Sequence, residues 1–190
     1  SGLSFSVLLR PDGVPMARWG RLPLLAGVAL AAAVEREAGV PTALKWPNDL
    51  LVRGRKCAGI LAEVADGAVV LGIGLNVTQR PGELPPDAHA TSLAAEGARH
   101  TDREALLVAV LRELAGYEAR WRAGDDAAAE YRARCDTLGR RVRVTLPAGA
   151  VLTGEAAGVD DEGRLLVRAA DGVTHRVSAG DVIHLRAAPT

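Results

Sequence analysis

Cysteine, lysine, methionine and phenylalanine are all scarce in this 190-residue chain, and neither sign of charge is in excess. Two cysteines, Cys57 and Cys135, cannot build the disulfide framework of a small secreted domain, which points to a reducing compartment. Lys and Arg together number 23, as do Asp and Glu, so no global field points to nucleic acid or an anionic membrane. The longest apolar stretch, Leu22 to Val34, is short of a bilayer crossing, and no signal peptide is seen. His89, His100, His175 and His184 lack metal-ligand spacing, and with two distant cysteines the sequence gives no ground to expect a zinc site. Neither a Gly-x-Ser-x-Gly elbow nor a Gly-x-x-x-x-Gly-Lys-Ser/Thr loop occurs. The chain opens at Ser1, inside what reads as a strand and without an initiator methionine, so a fragment is expected.

What is present reads as globular, with 48% hydrophobic and 24% charged residues. Residues 3 to 9 alternate as a half-buried strand ended by Pro11. Residues 23 to 38 form an apolar helix with Pro23 near its start and Gly39 as its C-terminal cap. Ala43 to Trp46 make a short strand stopping at Pro47, and Asn48 and Asp49 sit in the following turn. Two apolar runs, Cys57 to Val64 and Ala68 to Val77, are joined by Asp66-Gly67, a strong hairpin signal. Residues 79 to 100 read as an irregular loop, with the Pro/Gly content of a lid. Thr101 with Glu104 predicts a capping box for a helix to about Gly124, and a shorter helix runs from about Asp126 to Cys135. Beyond Leu138, five short β-type runs separated by turn signals predict a small SH3-like barrel. A boundary is therefore expected there, with residues 1–137 and 138–190 as separate domains.

Only Lys45 and Lys56 are lysine among the basic residues; the other 21 are arginine, a compositional bias. Both lysines fall among the polar residues of 45 to 76. Lys45-Trp46-Pro47-Asn48-Asp49 presents a cation, an amide and a carboxylate in one rigid turn, a set able to hold a phosphate or magnesium, or simply to cap the turn. Register through Asp66-Gly67 places Gly59 opposite Gly74 and Leu61 opposite Gly72, a side-chain-free patch near Lys56 and Asn76. Such a patch accepts a flat ligand or a closely packed helix. Cys57 beside Lys56 is read as a buried structural thiol, and Trp19, Trp46 and Trp121 as core or interface residues.

Three ordered blocks, Lys45-Trp46-Pro47-Asn48-Asp49-Leu50, Arg55-Lys56-Cys57-Ala58-Gly59-Ile60-Leu61-Ala62-Glu63 and Gly72-Ile73-Gly74-Leu75-Asn76, resemble the biotin protein ligases. The tail, with Gly154-Glu155-Ala156, Gly158-Val159-Asp160 and Gly180-Asp181-Val182, looks like the small C-terminal barrel of that family. The resemblance implies an α+β fold: a mixed sheet with flanking helices, class II synthetase-like, then an SH3-like barrel. It implies a cytoplasmic ligase that makes biotinyl-5'-AMP from biotin and ATP with Mg2+, then passes biotin to a lysine of a biotin carboxyl carrier protein. By carry-over Lys56 is the catalytic lysine and contacts biotin. Gly59, Leu61 and Gly72 line the biotin site. Lys45, Asn48, Asp49 and Asn76 lie toward ATP and magnesium, with Asp49 as the metal ligand. The family's Gly/Arg-rich loop is expected upstream of residue 1. Lipoyl or octanoyl transfer on the same scaffold, and an inactive fragment serving as a docking module, are the alternatives. A DNA-binding segment in the parent and a homodimer are left open; no membrane partner is implied.

Overall fold

The computed structural model describes residues 1–84, 89–125 and 127–185. Two five-stranded sheets account for all the strands among them. The first contains β1 (Gly2–Leu9), β2 (Ala43–Lys45), β3 (Asp49–Val52), β4 (Arg55–Ala65) and β5 (Ala68–Asn76), in the order β1-β5-β4-β3-β2. Its ladders are antiparallel because β2 to β5 follow one another through tight turns, which admit no other direction. Parallel pairing is confined to two isolated bridges, Leu44 with Cys135 and Lys56 with Ala90.

The Asp66-Gly67 hairpin forms as expected, with φ of 49° and 71° matching the right-handed strand twist. Its register sets Gly59 opposite Gly74 and Leu61 opposite Gly72. Asp49, expected in a turn, instead begins β3, which pairs with both β2 and β4. The missed signal was Arg53-Gly54, a second two-residue turn with φ of 49° and 75°. An arginine at the first left-handed position is uncommon, so the sequence did not announce it.

Helix α1 (Leu22–Ala38) covers one face of this sheet, and Gly39 caps it at φ 69°. It passes the length and hydropathy test for a membrane span together with the preceding 3₁₀ turn, but two thirds of that window is buried inside the protein. Its close approach depends on Gly27, where a Cβ would lie 3.3 Å from Leu44 Cδ2. Leu44, Leu50, Ile60 and Ile73 fill the interface and are almost wholly buried. Helix α2 (Arg103–Arg122) packs beside α1, and α3 (Ala128–Arg134) follows it. The N-cap of α2 is Asp102, not Thr101: its carboxylate accepts from the Ala105 amide at 2.8 Å. Asp126, the expected start of the short helix, and residues 85–88 of the 79 to 100 stretch lie outside the described residues. The remainder of that stretch contains two 3₁₀ turns, Pro81–Glu83 and Ala94–Glu96.

The second sheet comprises β6 (Arg141–Thr145), β7 (Val151–Val159), β8 (Leu165–Arg168), β9 (Thr174–Val177) and β10 (Asp181–His184), in the order β10-β6-β7-β8-β9. The five expected runs all appear. Val142, Val144, Ala156, Val159, Leu165, Val167, Val177 and Val182 are among its buried positions, alternating with exposed ones in β6. This SH3-like sheet docks on the first through Trp46, which is buried and whose indole Nε1 donates to Gly163 O at 3.0 Å. The Asp136 amide also donates to Leu44 O at 2.8 Å.

Candidate active site

The face of the first sheet opposite α1 is open, and the register decides what stands on it. Ser4 pairs with Gly74, Gly74 with Gly59, Gly59 with Asp49 and Asp49 with Lys45, a row across all five strands. Ser6, Gly72 and Leu61 form the next row, and Leu61 is 59% exposed. Residues directly opposite share a face, so glycines here leave a shallow trough. Its cavity, about 560 Å³, is lined by Ser4, Ser6, Asn48, Gly59, Leu61 and Gly72 among others.

Lys56 joins this face through a fault in the ladder. Leu50 pairs with Ala58 but Leu51 pairs with Lys56, leaving Cys57 as the extra residue of a β-bulge. Strand alternation would put positions 56 and 59 on opposite faces; the bulge reverses the phase and aims Lys56 outward. Its ammonium then lies over Gly59, 3.5 Å from where a Cβ would sit. Cys57 turns inward instead. It is fully buried, and that burial, with the charge of Glu96 adding, pushes its thiol up to about 12. A reactive thiolate is thereby excluded.

A second cavity, of about 510 Å³, is lined by Lys56, whose ammonium lies over Gly59 of the first. Its walls include Lys45, Asp49, Lys56 and His89, together with Asp181 and His184 from β10. The two lysines converge on one carboxylate: Lys56 Nζ is 2.5 Å from Asp49 Oδ1, and Lys45 Nζ is 3.8 Å from Oδ2. Two cations against one anion leave the Lys45–Asp49–Lys56 cluster net positive, with Asp181 also in the wall of the second cavity.

Lys56 is also fixed through its backbone. Its amide donates to His89 O at 3.1 Å and its carbonyl accepts from Thr91 N at 2.8 Å. That loop is anchored by Glu96, buried beneath Arg55 and Arg53 and accepting from Thr91 Oγ1 at 2.6 Å. Burial opposes the charge on Glu96, but the hydrogen bonds from Thr91 and Arg55 win, and its pKa falls below the ordinary value.

The structure thus brings together Lys45, Asp49, Lys56, Gly59, Leu61 and Gly72. Asn48 stands in the wall of the glycine trough, away from the nucleotide side expected for it, and its Nδ2 donates to Ile60 O at 2.8 Å. Asn76 lines neither cavity. Its Nδ2 donates to Thr91 O at 2.9 Å, and its Oδ1 accepts from Gln79 Nε2 at 3.3 Å, so it braces the loop. Asp49, the expected magnesium ligand, is a single carboxylate paired with two ammonium groups, and beyond that pairing its buried Oδ1 has no hydrogen-bond partner among the described residues. Among the described residues no group of three or more His, Cys, Asp or Glu could hold a metal. Sequence reasoning missed Ser4, Ser6, His89, Glu96, Asp181 and His184, which are remote in the chain from the three blocks and carry no local spacing.

Two family models match this chain. Residues 1–79 match the Biotin/lipoate A/B protein ligase family, and residues 137–185 match the Biotin protein ligase C terminal domain. The chain is 51% identical over 185 residues to the biotin--[acetyl-CoA-carboxylase] ligase of Mycobacterium tuberculosis, covering 95% of this chain and 68% of that protein. It is 33% identical to the bifunctional ligase/repressor BirA of Bacillus subtilis, covering 94% of this chain and 57% of that one. Biotin protein ligase from Aquifex aeolicus, solved in complex with biotin and ATP, superposes with a TM-score of 0.81 at 27% identity over 98% of this chain and 79% of that one. Sequence identity, fold and the ordered Lys-Gly-Asp constellation agree: the chain belongs to the biotin protein ligase family.

Proposed function

We propose that this chain carries out ATP-dependent biotin ligation, with Lys56 as the catalytic cation. Biotin's carboxylate oxygen attacks the α-phosphorus of ATP, a P–O bond forms, and pyrophosphate leaves. The ε-amine of a lysine on a biotin carboxyl carrier protein then attacks the biotinyl carbonyl, loses a proton, and releases AMP. The single observation carrying this reading is the position of the Lys56 ammonium where the glycine trough meets the charged cavity. An acid lying over Gly59, Leu61 and Gly72 and a phosphate beside Lys45 would both reach it. A fixed cation there lowers the repulsion between two anions as they approach, and the benefit grows in the transition state. Asp49 holds that cation in place. Magnesium enters with the nucleotide, bound by its phosphates, as part of the substrate.

Residues 1–137 would be the catalytic unit and 138–190 the SH3-like domain closing the second cavity. Two free buried cysteines agree with a cytoplasmic setting. The test uses the full-length parent. Lys56→Ala should slow biotin-dependent pyrophosphate release by about 10²-fold or more, the scale of one lost preorganised electrostatic group. An unchanged rate would remove Lys56 from the mechanism. Biotin should raise the melting temperature and lipoate should not; protection by lipoate alone would reassign the acid.

A further inference from the structure

His184, at the end of β10, is 139 positions from Lys45 in the chain and shares the charged cavity with it. Its Nε2 lies 3.1 Å from Thr137 Oγ1, and Thr137 is fully buried. The same hydroxyl oxygen accepts from the Trp46 amide at 3.0 Å. Thr137 still has its own proton to place, and Nε2 is an acceptor set beside it. The ring is then neutral with its proton on Nδ1, facing Asp136 Oδ2 at 3.8 Å. A proton on Nε2 would turn that bond around and deprive the buried Thr137 hydroxyl of this acceptor, a cost in a buried site.

We propose that His184 is a positioning residue for the nucleotide side of the site: its neutral ring, through Thr137, fixes the Trp46 backbone and hence the Lys45–Asp49 pair, and protonation releases them. The inference rests on the ligase reading. Burial and the balance of the neighbouring charges act in the same direction. Lys45 from β2 and Arg140 ahead of β6 disfavour a second cation, Asp136 opposes them, and burial is the largest influence, so the pKa lies below the ordinary histidine value. Across the cavity stand Asp49 of β3, Lys56 of β4, His89 of the loop and Asp181 of β10.

The experiment measures KM for ATP and kcat of the full-length ligase from about pH 5.5 to about pH 8.5, bracketing ordinary histidine. In the wild type KM should rise on the acid side while kcat changes less. His184→Ala should raise KM about tenfold throughout, the equivalent of one buried hydrogen bond. His184→Gln, whose amide oxygen can accept from Thr137 but cannot titrate, should recover KM to within about threefold and lose the acid rise. An acid rise that persists in His184→Gln overturns the proposal, as does an unchanged KM in His184→Ala. Nitrogen NMR supplies a readout independent of turnover: the His184 ring should be the Nδ1–H tautomer, and the Trp46 amide should shift with the same midpoint. A Trp46 amide that ignores the titration sinks the relay. Absence of ligase turnover at every pH in the wild type would instead sink the ligase reading, and the NMR result would stand apart from it.

Discussion

Lys56 and Cys57 are neighbours with opposite fates, one aimed at the site and the other sealed in the core. No property of either side chain decides this; the extra residue opposite Leu50 and Leu51 does. At Gly59 the consequence can be tested. Its missing side chain is what lets the Lys56 amine lie across the strand, with Cε 3.4 Å from the Cβ position. Alanine would fit at ordinary contact distance, but the branches of Gly59→Val would occupy the ammonium's place. We expect Gly59→Val to lower the adenylation rate by about tenfold or more while the unfolding midpoint does not fall, because a misplaced cation, not a damaged fold, is the lesion. A rate equal to wild type would show that the amine's position over this glycine has no bearing on the chemistry.

At the scale of elements, the apolar and turn patterns were readable where a local signal is strong. Alternation announced β1, Asp66-Gly67 announced the β4–β5 register, and Gly39 announced the end of α1. Where two polar residues compete for one cap, the pattern misleads. Thr101-Asp102 offers two hydroxyl or carboxylate acceptors, and backbone geometry selects Asp102, whose ψ of 117° turns its carboxylate onto the Ala105 amide. Asp102→Ala should therefore destabilise the protein by about 1 kcal/mol, whereas Thr101→Ala should stay within about 0.5 kcal/mol of wild type. Chemical denaturation of the two variants separates them, and a reversed order would return the cap to Thr101.

Across the whole molecule, two groups that tie distant segments together, the half-buried His184 and the buried Glu96, respond to acid in sequence. His184 has a lowered pKa in the folded state, so the unfolded chain takes up the proton first and stability is lost as pH falls below about 6.5. Glu96 is also held below its ordinary value, so its contribution is present above about pH 4.5 and is lost as acidification reaches the folded pKa. The urea midpoint should thus decline in two stages, and Glu96→Gln should diminish the lower one, to which Glu35 and Asp160 also contribute. At neutral pH that variant should cost about 2 kcal/mol. Loss of a charged hydrogen bond to Thr91 and Arg55 sets that scale, reduced because Arg53 and Arg55 face solvent. A midpoint that is flat between about pH 7 and pH 5 would contradict the burial of His184 in a neutral form.

By itself the sequence determined most helix and strand segments, β3 excepted, the facing of Gly59 with Gly74, and the chemistry on offer: two lysines, an aspartate and a glycine-smoothed sheet. These are local matters, set by periodicity of two or 3.6 residues and by turn dipeptides that a single chain displays openly. Tertiary structure alone decided that Asp49 spends its charge on both lysines, that Asn76 braces a loop, and that Thr137 and His184 reach back to Trp46. Those facts depend on strand pairing, a bulge and loop closure, over separations from four residues for Lys45 and Asp49 to 91 for Trp46 and Thr137. An ion pair or buried hydrogen bond leaves no imprint on the spacing of the residues that make it.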